Sequence, residues 1–293
     1  MSFGPYNLAD ENSYQSWRAA KMASSPVSAE KVIVELENPY AISDIEKNAL
    51  VKACFRYNFV IYQLLDRNLS DKTLVHALGQ QLGLHHLDTN LRADEDSVTS
   101  LEVRDQAGNQ YIPYTNKPLS WHCDGYYNRL DQQINSIVMH CVTPAASGGE
   151  NELIDHEMLY IKLRDENPAL IEALMQPDAM TIPANIEAGE EIRAEQSGPV
   201  FSVDPAAGHL HMRYSARKKN IQWKDDDITQ QAKRKITDLL TDTSIVFKHK
   251  LKAGQGIVCN NVLHNRKAFE DSEAHKRLMY RARYYDRVMS VNE

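Results

Sequence analysis

The stretch LSWHCDGY, residues 119–126, decides both the fold class and the chemistry that this sequence predicts. We interpret its first part as a β-strand, in which successive side chains point to opposite faces. His122 and Asp124 then lie on one face, about 7 Å apart along the strand, and both can reach one metal ion. The alternative for an isolated HxD pair is a histidine and an aspartate that hydrogen-bond to each other at a strand end.

A third metal ligand has to come from elsewhere in the chain, and His264 is the best candidate. It stands in CNNVLHNR, residues 259–266, at the end of a late apolar strand. Two imidazoles and one carboxylate on one face of an ion leave three positions open, which is the ligand set of non-haem Fe(II) oxygenases. The pair His209 and His211 fits less well, because no glutamate follows it at the spacing of cupin metal sites.

The last predicted strand, RLMYRARYY at residues 277–285, has an unusual distribution of charged residues. Alternation puts Arg277, Arg281 and Arg283 on one face and an apolar set on the other. Either the arginines face water, or both faces are covered and at least one arginine points into a pocket. In the second case the planar guanidinium binds a carboxylate through two parallel hydrogen bonds. A dicarboxylate co-substrate beside the metal would need such a cation.

Short apolar runs separated by turn residues predict many strands and a few helices. The main predicted strands are 57–65, 134–142, 151–155, 244–251, 255–264 and 275–288. The predicted helices are 70–83, 156–166, 168–176 and 227–241, with Asn167 as a cap and Pro168 at the first helical position. This pattern favours an antiparallel sandwich or barrel with helices packed outside. We expect one domain over 1–293, with an N-terminal arm at 1–30 and an active-site lid in the irregular stretch 86–118.

Composition excludes several classes of protein. Lys plus Arg is 33 and Asp plus Glu is 40, and the resulting net charge of −7 argues against a broad basic face for nucleic acid. We find neither an apolar stretch of membrane-spanning length nor a secretory leader. The four cysteines are too widely spaced for a zinc knuckle or a disulfide framework. We therefore expect a soluble, cytoplasmic protein without a nucleic-acid or membrane partner.

In these motifs and their order the chain resembles the Fe(II)/2-oxoglutarate-dependent dioxygenases of the TauD/TfdA superfamily, and it is similar to their γ-butyrobetaine hydroxylase-like relatives. The matching pieces are Tyr114-Thr115 with the run 119–126, the turn 144–149, the run NNVLHNR at 260–266, and Arg277 onward. The strand and helix at 57–65 and 70–83 also match. The resemblance covers roughly residues 50–288.

The resemblance implies a mainly β fold with flanking helices around a double-stranded β-helix, or jelly-roll, core. It implies that His122, Asp124 and His264 bind Fe(II), at which O2 reacts. It also implies that Arg277, rather than Arg281, binds the distal carboxylate of 2-oxoglutarate. Family members often carry threonine after the Gly-Gly turn for that carboxylate, and here Asn151 would substitute for it.

The same resemblance implies oxidation, most simply hydroxylation, of a small molecule with release of succinate and CO2. Arg281 would face this primary substrate, which suggests an anionic or amino-acid-like compound. Tyr126 and Tyr127 follow the HxD motif directly and are candidates for the pocket mouth, and Arg213 is a candidate for an anionic group. A homo-oligomer is compatible with the sequence.

Two other functions fit part of the pattern. One is a non-catalytic β-barrel binding protein with a structural metal site. The other is a zinc hydrolase on a similar barrel, because two histidines and one carboxylate also suit zinc. The arginine-rich last strand downstream of His264 favours the dioxygenase.

Overall fold

A computed structural model describes most of the chain, namely residues 4–24, 28–88, 97–104, 112–187, 189–217 and 221–289. The α-helices in this part are α1 (Glu11–Met22), α2 (Ala29–Val32), α3 (Asp44–Tyr57), α4 (Leu74–Gln81), α5 (His156–Glu166), α6 (Pro168–Leu174) and α7 (Asp227–Leu239). Two short 3-10 helices cover Gly4–Tyr6 and Ile112–Tyr114.

The strands are short and numerous, as the sequence predicts. The first ten are β1 (Ile33–Leu36), β2 (Phe59–Leu64), β3 (Thr99–Leu101), β4 (Leu119–His122), β5 (Ser136–Thr143), β6 (Ser147–Gly148), β7 (Asn151–Ile154), β8 (Met180–Ile182), β9 (Asn185–Glu187) and β10 (Glu190–Arg193). The others are β11 (Gln196–Gly198), β12 (Phe201–Val203), β13 (Leu210–Met212), β14 (Gln222–Trp223), β15 (Phe247–His249), β16 (Gln255–Cys259), β17 (Leu263–Arg266), β18 (Phe269–Glu270) and β19 (Leu278–Tyr284).

Two sheets dominate. The larger has the strand order β1-β2-β16-β5-β19-β3, and the second has the order β15-β7-β17-β4. In the larger sheet β1 and β2 are parallel, whereas β16 pairs antiparallel with both β2 and β5. Strands far apart in sequence thus become neighbours, and the sheets do not close into barrels. The predicted mainly β fold with helices is confirmed.

The chain divides into two compact units. The sheet unit comprises Val27–Ser120, Ile134–Leu153 and Phe247–Glu293, and the helical unit comprises Met1–Pro26, Trp121–Gln133 and Ile154–Val246. The single domain over 1–293 stays a prediction. Within the described residues, no helix has the length and apolarity to cross a bilayer.

The sheet unit contains an extended apolar core around β2, β5, β16 and β19. All six residues of β2 are buried, which explains the unbroken apolar run in the sequence. Helix α3 begins at a capping box, in which the Ser43 side chain accepts from the Glu46 N–H and Glu46 bonds back to Ser43. It ends at Asn58, whose φ of 59° turns the chain directly into β2.

The helical unit confirms the two adjacent helices and their shared cap. Asn167 accepts from the Ala169 N–H, and Pro168 begins α6. The N-terminal arm at 1–30 stays a prediction, and its described part contains α1. Tyr14 of α1 is buried, and Lys21 forms ion pairs with Asp155 and Glu157 at the start of α5. These ion pairs and the edge-to-face contact of Tyr6 with Tyr160 (ring centroids 5.5 Å apart) attach this segment to α5.

Two other predictions need correction. The run 255–264 is not one strand, because β16 ends at Cys259 and Asn261 takes a φ of 48° before β17 begins. The stretch 86–118 is not wholly irregular, because Thr99–Leu101 forms β3, which pairs with β19. Residues 89–96 and 105–111 lie outside the described residues, and the lid stays a prediction.

Candidate metal centre

The HxD segment is fixed by backbone hydrogen bonds along its length. The Cys123 N–H donates to the Tyr214 carbonyl (3.0 Å), and His122 forms a bridge with Ser215. The residues on either side of Cys123, His122 and Asp124, are both buried, and so is Cys123 itself. Strand β4 ends at His122, however, and Asp124 begins the following turn, so the prediction of one strand through the whole HxD motif is wrong at its last residues.

The structure brings His122, Asp124 and His264 together. One ligand atom from each residue lies within 4.8 Å of the other two. His122 Nε2 and Asp124 Oδ1 are 3.2 Å apart. This separation matches two neighbouring ligands of one ion, which lie about 3 Å apart when each bond is about 2.1 Å long. It also matches the direct His–Asp contact that the sequence left as an alternative.

His264 adds an observation that favours the metal site. Its Nδ1 lies 2.9 Å from the Val262 carbonyl oxygen, so Nδ1–H donates and Nε2 carries the lone pair. Metal-binding histidines usually donate their other ring N–H to a carbonyl or carboxylate in this way. A buried carboxylate with two imidazoles is therefore a donor set that fits a divalent metal ion. It is the one cluster of this kind that the described ranges contain.

Arg277 is a buried cation whose guanidinium forms no ion pair with a described residue; the Asp271 carboxylate accepts from its backbone N–H instead (3.0 Å). Its side chain is 5% exposed, and burial lowers the pKa of its guanidinium to about 10. Among the described residues, no hydrogen bond or ion pair reaches this guanidinium, and its nearest ring contact is Phe269, at 5.2 Å from the ring centroid. A buried charge normally has a partner. The site therefore fits an anionic ligand.

The other arginines of β19 differ from Arg277. Arg283 is buried and forms an ion pair with Asp88, so its charge is already compensated. Arg281 is half-buried, in register with Met139 of β5 and Thr99 of β3. Both faces of this strand are covered, in agreement with the second interpretation of its polarity.

Asn151 is buried in β7, and its amide Nδ2 donates to the Asn265 carbonyl (3.3 Å). This bond ties β7 to β17 beside His264. A contact of Asn151 with 2-oxoglutarate stays a prediction.

Tyr126 and Tyr127 are half-buried and pack edge-to-face, with ring centroids 5.2 Å apart. Arg217 donates to the Tyr126 hydroxyl (3.3 Å), and the Arg193 guanidinium lies 5.9 Å from the Tyr127 ring centroid. Arg193 was not singled out by the sequence, because only the fold brings β10 to these tyrosines.

Arg213 has a role that the sequence did not indicate. It is 2% exposed, and burial lowers the pKa of its guanidinium to about 10. Its donors are shared among five backbone carbonyls, those of Tyr126, Met180, Gln196, Gly198 and Pro199. These bonds hold the loop after Asp124, and contact of Arg213 with substrate stays a prediction.

The chain is similar to known proteins in sequence and in structure. A family model described as "Taurine catabolism dioxygenase TauD, TfdA family" matches residues 20–283. A uridine-5'-phosphate dioxygenase of Streptomyces sp is 26% identical over 204 residues, which cover 66% of this chain and 71% of the relative. A second one, from Amycolatopsis sp, is 29% identical over 178 residues, covering 59% of this chain. The chain spans 62% of that relative's length.

Solved structures share the fold. The non-heme iron oxygenase OrfP, in complex with Fe and alpha-ketoglutaric acid, has a TM-score of 0.62 at 13% identity, covering 85% of this chain and 81% of that one. A taurine dioxygenase from Burkholderia xenovorans has a TM-score of 0.58 at 18% identity, covering 89% and 88%. The predicted double-stranded β-helix core is confirmed. The family model matches most of this chain, which shows that the chain belongs to the TauD/TfdA family of non-haem iron, 2-oxoglutarate-dependent dioxygenases.

Proposed function

We propose that the protein binds Fe(II) through His122, Asp124 and His264, binds 2-oxoglutarate through Arg277, and oxidises a small anionic substrate. The convergence of the three ligand atoms within 4.8 Å carries this proposal. Iron and 2-oxoglutarate, when bound, would supply the oxidising power for attack on a substrate C–H bond, with O2 consumed and succinate and CO2 released.

The protein's own residues would supply geometry. The hydrogen bond from His264 Nδ1 to the Val262 carbonyl keeps Nε2 available as a ligand. The backbone contacts of His122 and Cys123 with Ser215 and Tyr214 would hold this segment in position. Three protein ligands leave the remaining positions of the ion for the co-substrate and oxygen.

Arg277 would bind the distal carboxylate of 2-oxoglutarate. Its buried guanidinium forms no hydrogen bond or ion pair with a described residue, so a carboxylate there would compensate a desolvated charge. Arg281, the alternative on the same strand, is only half-buried.

For the primary substrate we propose a small molecule with a negatively charged group. Arg281, half-buried on the same strand, and the residues around Tyr126 and Tyr127 are the proposed contacts. Arg217, which contacts Tyr126, adds a positive charge to this group. Since the relatives from Streptomyces sp and Amycolatopsis sp are uridine-5'-phosphate dioxygenases, uridine 5'-phosphate is the first compound to test. A cytoplasmic location and a homo-oligomer stay predictions.

Succinate release tests the enzyme class. Purified protein is loaded anaerobically with Fe(II), mixed with 2-oxoglutarate and O2, and assayed for succinate. We expect succinate that depends on Fe(II), is lost in His264→Ala and is kept in His275→Ala, which changes an exposed histidine. Succinate release that Zn(II) supports equally well, or that survives His264→Ala, would contradict the proposal.

Substrate-stimulated succinate release tests the substrate class. Uridine 5'-phosphate, uridine, small carboxylates and amino acids are compared at equal concentration. We expect stimulation by a phosphate- or carboxylate-bearing compound and none by uridine. Stimulation by neutral compounds alone would refute the anionic substrate while leaving the iron site intact.

A further inference from the structure

The turn Gly148-Gly149 lies directly against the strand that follows the metal-site strand β17. Gly148 of β6 pairs with Phe269 of β18, and the Gly149 N–H donates to the Ala268 carbonyl (3.0 Å). A Cβ atom on Gly148 would lie 2.2 Å from the Ala268 carbonyl oxygen, closer than atoms can approach. The absence of a side chain at Gly148 therefore sets how closely Phe269 approaches the turn.

Phe269 contacts two buried arginines. Its ring centroid is 4.8 Å from Cζ of Arg266 and 5.2 Å from Cζ of Arg277, and the phenylalanine is 3% exposed. At these distances each guanidinium is attracted by the electrons of the ring, and the attraction is stronger away from water. Phe269 is thus a shared partner of both cations.

The two arginines differ in everything else they contact. Arg266 donates to the backbone carbonyls of Pro113, Thr115 and Lys117, which fix its position. Arg277 has no such bonds from its guanidinium among the described residues. Burial, with a smaller contribution from the charge of Arg277, lowers the pKa of Arg266 to about 9.

We propose that Phe269 is a positioning residue for 2-oxoglutarate, because its ring holds the otherwise unbonded guanidinium of Arg277 in place to receive the distal carboxylate. The inference rests on the proposed role of Arg277. A guanidinium held before the ligand arrives loses less conformational freedom on binding, so the affinity for the carboxylate is higher. Arg266 contributes because it contacts the same ring and so holds Phe269 in position.

The experiment measures binding rather than turnover. The Mn(II)-loaded enzyme is titrated with 2-oxoglutarate by calorimetry, for the wild type, Phe269→Leu and Phe269→Tyr. Leucine keeps an apolar side chain but has no ring, whereas tyrosine keeps the ring. We expect Phe269→Leu to weaken 2-oxoglutarate binding about 3- to 30-fold. Phe269→Tyr should stay closer to the wild type, and Mn(II) affinity should not change in either variant.

A double-mutant cycle with Arg277→Ala shows whether Phe269 acts through that arginine. We expect Phe269→Leu to cause no further loss of 2-oxoglutarate affinity in the Arg277→Ala background. Equal losses in both backgrounds, or a parallel loss of Mn(II) affinity, would overturn the inference. If Phe269→Leu does not fold, Phe269→Met replaces it in the same cycle.

This design distinguishes a wrong assignment of Arg277 from a wrong role for Phe269. If Arg277→Ala leaves 2-oxoglutarate affinity unchanged, the assignment of Arg277 is wrong, and the inference falls with it. If Arg277→Ala weakens binding and Phe269→Leu does not, only the inference on Phe269 is wrong.

Discussion

Replacing Gly148 by alanine tests the contact between the Gly-Gly turn and β18. Gly148 has a φ of 68°, and an added Cβ would lie 2.2 Å from a backbone oxygen, which cannot move aside as a flexible side chain can. A positive φ costs an alanine about 1–2 kcal/mol, and overpacking costs about 1–3 kcal/mol more. Reduced freedom of the unfolded chain offsets about 0.5 kcal/mol, so we expect Gly148→Ala to lower the free energy of unfolding by about 2–4 kcal/mol.

Two other glycines allow the cost of a positive φ to be measured without the steric clash. Gly83 and Gly208 also have positive φ, of 83° and 71°, but nothing lies within 4 Å of an added Cβ. Gly83→Ala and Gly208→Ala should each cost about 1 kcal/mol, from the backbone conformation alone. Urea unfolding of the three variants measures the costs. The explanation is refuted if Gly148→Ala is no more destabilising than the other two.

Two further predictions concern ion pairs. Arg283→Ala should lower the free energy of unfolding by about 3–5 kcal/mol, because it leaves the buried Asp88 carboxylate without its cation. The double variant with Asp88→Ala should lose less stability than the two single variants added together. Additive losses in urea unfolding would argue against the ion pair. Burial raises the pKa of Asp165, but hydrogen bonds from Arg18 and Tyr14 outweigh it, so the pKa is lowered overall. The ionised Asp165 carboxylate therefore stabilises the folded state above the usual aspartate pKa of about 3.9, and this stabilisation is lost as the pH falls below that value. Between pH 5 and pH 3 the free energy of unfolding should change less for Asp165→Asn than for the wild type. Equal changes would contradict a stabilising role of the Asp165 carboxylate.

Local signals in the sequence predicted many elements well. The apolar run 57–65 became β2, and the cap at Asn167 with Pro168 marked the boundary between two helices. Helix α3 was overlooked, although the spacing of Ser43 and Glu46 is a capping-box signal. The break at Asn261 depends on one residue with positive φ, and neighbouring residues do not reveal it.

The metal site was predictable in part, because residue type limits which side chains can bind iron. His122 and Asp124 were found from strand alternation, and His264 from its place at the end of a late strand. The surroundings were not predictable. Arg213 bonds to carbonyls from several distant segments, and Phe269 reaches its position through pairing with Gly148, more than a hundred residues earlier. Such contacts exist only after the chain has folded.

Iron binding itself tests the central claim most directly. Apoprotein is titrated anaerobically with Fe(II) in the presence of 2-oxoglutarate, while the weak visible charge-transfer band of the chelated ion is followed. We predict a band that saturates at one Fe(II) per chain, disappears in His264→Ala and persists in His275→Ala. Absence of the band in the wild type, or its full retention in His264→Ala, would contradict an iron site built from His122, Asp124 and His264.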